Sequence, residues 1–413
     1  MSLLADLLST VFERRYRAEA ADWDGRPIEE LATTLIGTLD ETSGGSLACQ
    51  ILDRFEAMAD DEKLDFLRHV ARKMNIDPAA VRETLAEYEA EPTRASYRAF
   101  MAAAEPARQE LIRRLNQVPG ATGRLVRMRA DLLRLGQDMP ELQALDLDFR
   151  HLLSSWFNRG FLVLRPVNWK SPADILDKII AYEAVHAIDS WDDLRRRLAP
   201  PDRRCFAFFH PSMPDEPLIF VEVALTRGVP GSIQTLLAED RAPLASDQAD
   251  TAVFYSISNC QDGLAGISFG NSLIKQVAAD LAGELAGLKT FATLSPIPGL
   301  TRWLDDAGLP YPDDAETTRR VAAAYLLYAK RGDGLPSDPV ARFHLGNGAL
   351  IHSVHSDADT SAKGMQQSLG AMVSYHYDLA QISQNHERFV SAHDVVASAE
   401  VQALGAAYEK TAA

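Results

Sequence analysis

At about residue 158 the spacing of apolar side chains changes period, and no single regular architecture accommodates both patterns. Before that point apolar residues recur every three or four positions. Leu3, Leu4, Leu7, Leu8 and Phe12 make one stripe, and Leu64, Phe66, Leu67, Val70 and Met74 make another. Such stripes predict amphipathic helices with one buried face. Asp77-Pro78 marks a helix start, because a carboxylate there accepts from a free N–H and proline fits the first helical position. Pro119-Gly120 and Met139-Pro140 punctuate later helices. With few β-branched runs, residues 1–158 read as a bundle of six to eight helices.

After Phe157-Asn158-Arg159-Gly160 strands and helices mix. Phe161 to Leu164, Cys205 to Phe209, Leu218 to Leu225, Ala252 to Ile257 and Phe291 to Leu294 read as strands, the second and third joined as a hairpin by a turn-rich connection. Helices open at Ser171 and Ser190 as N-caps, and others span Ser232 to Ala238 and Ser272 to Leu288. Residues 159–413 are therefore expected to form a mixed α/β domain behind the all-helical one.

Charge narrows the function classes. Forty-two Lys and Arg against 58 Asp and Glu leave −16, which argues against nucleic acid and anionic membrane as partners, since both are bound through basic surfaces. Three scattered cysteines, Cys49, Cys205 and Cys260, form no disulfide framework and suit a reducing compartment as small buried hydrophobes. Neither a signal peptide nor a membrane span is legible, so a cytoplasmic protein is expected. The arginines from 108 to 134 read as a solvated helix face with Leu111, Leu115, Leu125 and Leu132 inward; an anionic site or an oligomer interface is the other reading. Arg195, Arg196, Arg197, Arg203 and Arg204 read as surface.

The stretch from Thr251 to Leu288 is strand, glycine-bearing loop, then helix. A loop with glycine before a helix lets the backbone approach an anion, and the first-turn N–H groups point at it. No Lys-Ser/Thr pair follows, and Gly-x-Gly-x-x-Gly is absent, so neither a Walker loop nor a dinucleotide fold is indicated. Alone, the feature is a weak signal and reads first as a tight turn.

Several segments together carry a resemblance: Phe206 to Ser212, Glu216 to Leu225, Phe254 to Ser258, Gly263 to Lys275, Leu294-Ser295-Pro296-Ile297-Pro298-Gly299, and Pro339 to Ala349 with Phe343-His344-Leu345-Gly346-Asn347-Gly348. In this order they resemble the malonyl-CoA decarboxylases from about residue 150 to 380. The resemblance implies a helical oligomerisation domain, expected to build a tetramer, and a catalytic domain of GNAT-type acetyltransferase fold. It places the coenzyme A pyrophosphate on Ala265, Gly266, Ile267, Ser268, Phe269, Gly270 and Asn271, a positioning serine or general base at Ser295, and a proton-donating histidine at His344. Animal members carry a glutamate where this chain has Ser268, so no catalytic carboxylate is assigned there.

Loss of carbon dioxide from malonyl-CoA leaves an electron pair that must pass into the thioester carbonyl, so donors are needed where the enolate oxygen develops, and an acid must protonate C2. The thioester is the electron sink, and no metal or other cofactor is called for. Pro296 and Pro298 stiffen the exit on which Ser295 stands. His344, alternating with Arg342 and Gly346 in an expected strand, has an ordinary pKa near 6.5 suited to giving and regaining a proton. Without the resemblance, a Ser-Pro turn and a lone strand histidine are structural features. His352-x-x-His355 lacks further ligands and reads as a solvent-facing pair. Tyr377 reads as a buried aromatic, or as a supporting donor at the thiol end of coenzyme A. Acyl transfer to an amine and non-catalytic acyl-CoA sensing are the alternatives to decarboxylation.

Overall fold

The computed structural model describes residues 25–38, 40–267 and 273–412; the stripe from Leu3 to Phe12 lies outside them. The chain divides into two compact units. One takes its residues from 1–162, 210–214 and 261–268, and the other holds the remainder. Two short segments of the second half of the sequence thus pack with the helical unit. Among the described residues no helix is long and apolar enough to cross a membrane.

The first unit holds eight described helices: α1 Ile28–Gly37, α2 Glu41–Ala57, α3 Asp60–Lys73, α4 Pro78–Ala90, α5 Arg94–Ala104, α6 Ala107–Leu115, α7 Ala121–Leu135 and α8 Pro140–Trp156. Local chemistry accounts for their ends. Asp77 accepts from Ala79 N at 2.8 Å beside Pro78. In α3, Asp60, Asp61 and Glu62 occupy the first turn and Arg72 and Lys73 the last, matching the helix dipole. Its Phe66, Leu67, Val70 and Ala71 are buried, as the period required.

Leu111, Leu115, Leu125 and Leu132 are buried and Arg127 and Arg134 exposed, as expected, but the other arginines from 108 to 134 depart from a solvated face. Arg108 pairs with Asp148, Arg113 and Arg114 with Glu110, Arg124 and Arg127 with Glu56, Arg129 with Asp146, and Arg134 with Asp60 and Asp131. Arg108 and Arg129 are buried. Pairs within α6 and α7 join others that helix packing makes with carboxylates of α2, α3 and α8. A buried guanidinium left unpaired would cost about 3–5 kcal/mol.

The second unit is built on an eight-stranded sheet. In chain order its elements are β1 Val163–Val167, α9 Ala173–Tyr182, α10 Trp191–Leu198, β2 Arg203–Phe209, β3 Ile219–Thr226, α11 Ile233–Leu237, β4 Thr251–Asn259, α12 Leu273–Glu284, β5 Thr290–Thr293, β6 Ser295–Pro296, α13 Leu300–Ala307, α14 Ala315–Tyr328, α15 Pro339–Gly346, β7 Leu350–His355, α16 Ala362–Ser368, β8 Met372–His376, α17 Ile382–Ala392 and α18 Ala399–Ala412. Strand order is β1-β2-β3-β4-β5-β8-β6, with β7 also on β8. Every pairing is antiparallel except β4–β5, whose crossover carries α12. This is a mixed sheet with helices, as expected for residues 159–413. Its central strands are buried on both faces, so β2 and β3 read as continuous apolar runs. On one face α9 and α10 pack Ile175, Ile179 and Leu194 with Cys205, Ala207, Phe209 and Cys260.

Three readings are corrected. Ser171 does not cap α9: Pro172 occupies the N-cap, and Ser171 Oγ accepts from Asn168 N at 3.1 Å. The arginines from 195 to 204 are not uniformly surface, because Arg197 and Arg203 are buried. Arg197 binds Asp193 and Glu222, and Arg203 donates to Leu236 O. The third concerns His344.

Candidate active site

The parallel pair β4–β5 is four residues long, Thr251 to Phe254 against Thr290 to Thr293. Beyond it β4 runs on to Asn259, while the chain after β5 turns to pair Ser295 with Val373 and Pro296 with Met372 of β8. The strands therefore part at Ser295. The β3–β4 register also slips beside Glu222, leaving Tyr255 without a partner in the ladder. A cavity of 230 Å³ opens there, lined by Phe254, Tyr255, Ile257 and Asn259 of β4, by Ser295 and Pro296, by Val185 and Ile219, and by Pro339, Val340, Phe343 and His344. Among the described residues its wall contains no charged side chain.

His344 lies on helix α15 and not on the expected strand. Asp338 accepts from Ala341 N at 2.8 Å and Pro339 takes the first helical position, the same signature as Asp77-Pro78. Ala341, His344 and Leu345, at helical spacing, are buried; this burial pattern outweighs the two-residue alternation with Arg342 and Gly346.

Ser295 Oγ stands 3.2 Å from His344 Nε2, and Tyr377 OH is 2.7 Å from His344 Nδ1. Ser295 donates to Thr293 Oγ1 at 2.9 Å, and Thr293 Oγ1 also accepts from Tyr375 N at 3.1 Å. One assignment of protons satisfies this chain: Tyr377 donates to Nδ1, and Nε2 carries the imidazole proton towards Ser295. Tyr375 stacks on the imidazole with ring centroids 4.4 Å apart. Burial holds His344 down to about 3 and raises the Tyr377 phenol well above its usual value. The imidazole is therefore neutral in the free protein, and its ordinary pKa of about 6.5 does not apply. Burial raises Asp338 to about 6 against the backbone N–H groups it accepts from.

Tyr377 thus joins Ser295 and His344, where the sequence left two readings open. Thr293 and Tyr375 were missed, though each lies two residues from a noted position, Ser295 or Tyr377. Of the expected phosphate loop, Ser268, Phe269, Gly270 and Asn271 lie outside the described residues. Ala265 and Gly266 are exposed and Ile267 is buried. Ala265 N donates to Asp262 O and Ile267 N to Leu264 O, both at 3.0 Å, so these two N–H groups are closed into turns and not free for an anion. His352 is exposed, while His355 is half-buried with Nε2 3.0 Å from the hydroxyls of Ser353 and Ser374.

A mixed sheet whose strands part beside a small apolar cavity, with a buried serine and histidine at the opening, defines the class: a mixed α/β protein with a candidate Ser–His site where its parallel strands separate. Comparison with known proteins narrows it. Family models described as malonyl-CoA decarboxylase N-terminal and C-terminal domain match residues 74–157 and residues 160–318 and 312–413. "Malonyl-CoA decarboxylase, mitochondrial" of Anser anser anser is 33% identical over 348 residues, 72% of this chain and 69% of that protein. Crystal structures of malonyl-CoA decarboxylase from Rhodopseudomonas palustris and Agrobacterium vitis superpose with TM-scores of 0.87 and 0.86 at 46% and 47% identity. They cover 92% and 91% of this chain, and 100% and 99% of theirs. The chain belongs to the malonyl-CoA decarboxylase family.

Proposed function

We propose that this enzyme, a carboxy-lyase, converts malonyl-CoA and a proton to acetyl-CoA and carbon dioxide with Ser295, His344 and Tyr377. The observation that carries the assignment of residues is the continuous chain Tyr377–His344–Ser295 ending in an uncharged cavity. A carboxylate moved from water into such a wall loses solvation, which favours its departure as neutral carbon dioxide. The Ser295 hydroxyl positions the carboxylate or the developing enolate. An anionic substrate also brings His344 the negative charge that the empty cavity lacks, favouring uptake of a proton. The Nε2 proton passes to C2, the proton taken up stays on Nδ1, and the ring is neutral again with Tyr377 now accepting from Nδ1. Tyr377 fixes the ring through Nδ1. The thioester takes the electron pair, so the reading needs no metal or prosthetic group.

The loop before α12, residues 265–271, carries the coenzyme A phosphates in this reading, and the helical unit builds a homo-oligomer, a tetramer, whose mass light scattering would give. A monomer at micromolar concentration would contradict it. The unpaired Cys49, Cys205 and Cys260 suit the cytosol. Purified protein given malonyl-CoA and no acceptor should accumulate acetyl-CoA with turnover. Product that appears only with an added amine would favour acyl transfer instead, and binding without product would favour a sensor.

A further inference from the structure

The imidazole of His344 is closed on most of its sides. Tyr375 covers one face at 4.4 Å between ring centroids, and Tyr377 OH stands at Nδ1. Ser295 Oγ, backed by Thr293, stands at Nε2. The ring still belongs to the cavity wall, and the side chain that borders it there is Phe343, set edge-on with ring centroids 5.0 Å apart. Helix α15 fixes this placement. Ala341, His344 and Leu345 are its buried residues. Phe343 shares the next stripe with Pro339, four residues before it, and both line the cavity. Phe343 is 41% exposed, whereas Phe254 and Ile219 of the same wall are 1% and 5% exposed. Phe343 therefore stands at the rim, and the other two deeper in.

Protonation at C2 requires that carbon to come within about 3 Å of His344 Nε2, the reach of a proton transfer. Tyr375 and Tyr377 occupy two approaches to the ring, and the open one is the cavity, beside Phe343. C2 of malonyl-CoA carries two hydrogens and fits such a gap. An alkyl branch in place of one of them meets a phenyl ring that has only two side-chain torsions and is already packed against the imidazole. We propose that Phe343 is a specificity-determining residue, the wall that admits malonyl-CoA and resists 2-alkylmalonyl-CoA thioesters, increasingly with the size of the branch. The proposal rests on the reading that His344 delivers the proton to C2.

The test measures kcat/KM of wild type, Phe343→Ala and Phe343→Trp on malonyl-CoA and on racemic methylmalonyl-CoA and ethylmalonyl-CoA. Phe343→Ala should bring ethylmalonyl-CoA about 10-fold closer to malonyl-CoA, the low end of what one methylene decides in an apolar pocket, and methylmalonyl-CoA by less. Phe343→Trp should move both ratios the other way. Because Phe343 stands at the rim, its truncation leaves no closed void in the core, and circular dichroism checks that each variant is folded; Phe343→Leu replaces one that is not. Ratios unchanged from wild type, including an equal loss on all three thioesters, overturn the proposal. Should wild type bind malonyl-CoA calorimetrically without decarboxylating it, the catalytic reading fails alone, and the same ratios taken from Kd still test Phe343.

Discussion

The imidazole of His344 and the carboxylate of Glu222 are both shut away from water in the second unit, yet one is wired through neutral partners and the other is held by a cation. His344 has a hydroxyl at each ring nitrogen and no ion beside it. Desolvation alone then decides its state, and it is neutral. Glu222, fully buried on β3, faces Arg197 Nη1 at 3.3 Å, while its Oε1 has no partner. Arg197 divides itself among Glu222, Asp193 and the carbonyls of His186 and Ala187. Glu183, bonded to Ser256 and to the N–H groups of Val185 and His186, adds a second negative charge. Burial and then Glu183 outweigh Arg197 and push Glu222 up to about 8. The first arrangement keeps a group ready to accept a proton when an anion arrives. The second ties the segment after α9 to the sheet.

The strongest way to break this contrast is to remove the members of the neutral chain. His344→Asn and Ser295→Ala should each lower kcat by roughly 10²–10⁴-fold, the usual worth of a positioned acid or donor, while coenzyme A still binds by calorimetry. Near-normal turnover in His344→Asn would dissociate the imidazole from the chemistry. A Ser295→Ala variant that raised only KM would make Ser295 a binding group. Tyr377→Phe, which deletes one hydrogen bond to Nδ1, should cost about 10-fold in kcat. A loss as large as that of His344→Asn would give the phenol a direct part in proton transfer.

The smallest effect is on stability. The folded pKa of Glu222 lies above its ordinary 4.5, so the folded protein keeps a proton that the unfolded chain releases. That contribution is complete below about 4.5 and is lost as pH climbs towards 8. Wild-type Tm should therefore fall by about 5 °C between pH 5.5 and 8.5 from this group. Glu222→Gln should flatten that fall and leave kcat near wild type. Parallel Tm curves would show that Glu222 is ionised throughout, held by Arg197 after all.

Both periods were legible because they record burial on a repeating geometry. The Leu64–Met74 stripe became α3, and the apolar runs at 205 and 218 became paired strands of a doubly covered sheet. Asp338-Pro339 carried the same start signal as Asp77-Pro78, but a histidine alternating with arginine and glycine obscured it. Ser295, His344 and Tyr377 could be named in the sequence through resemblance. Their contact could not, because it depends on where β5 ends and on the helix that brings a residue 49 positions away to 3.2 Å.

Charge shows the same division. The sequence by itself determined the net −16, the helical stripes, the strands and the glycine-bearing loop, because propensity, capping and periodicity act within a few residues of the chain. Only the tertiary structure decided which charges are spent and which are left. Arg129 finds Asp146 across a helix pair and Arg124 finds Asp53 from 71 positions away, whereas Arg150, exposed on α8, has no partner among the described residues. A pairing energy depends on distance and desolvation, and both are properties of packing.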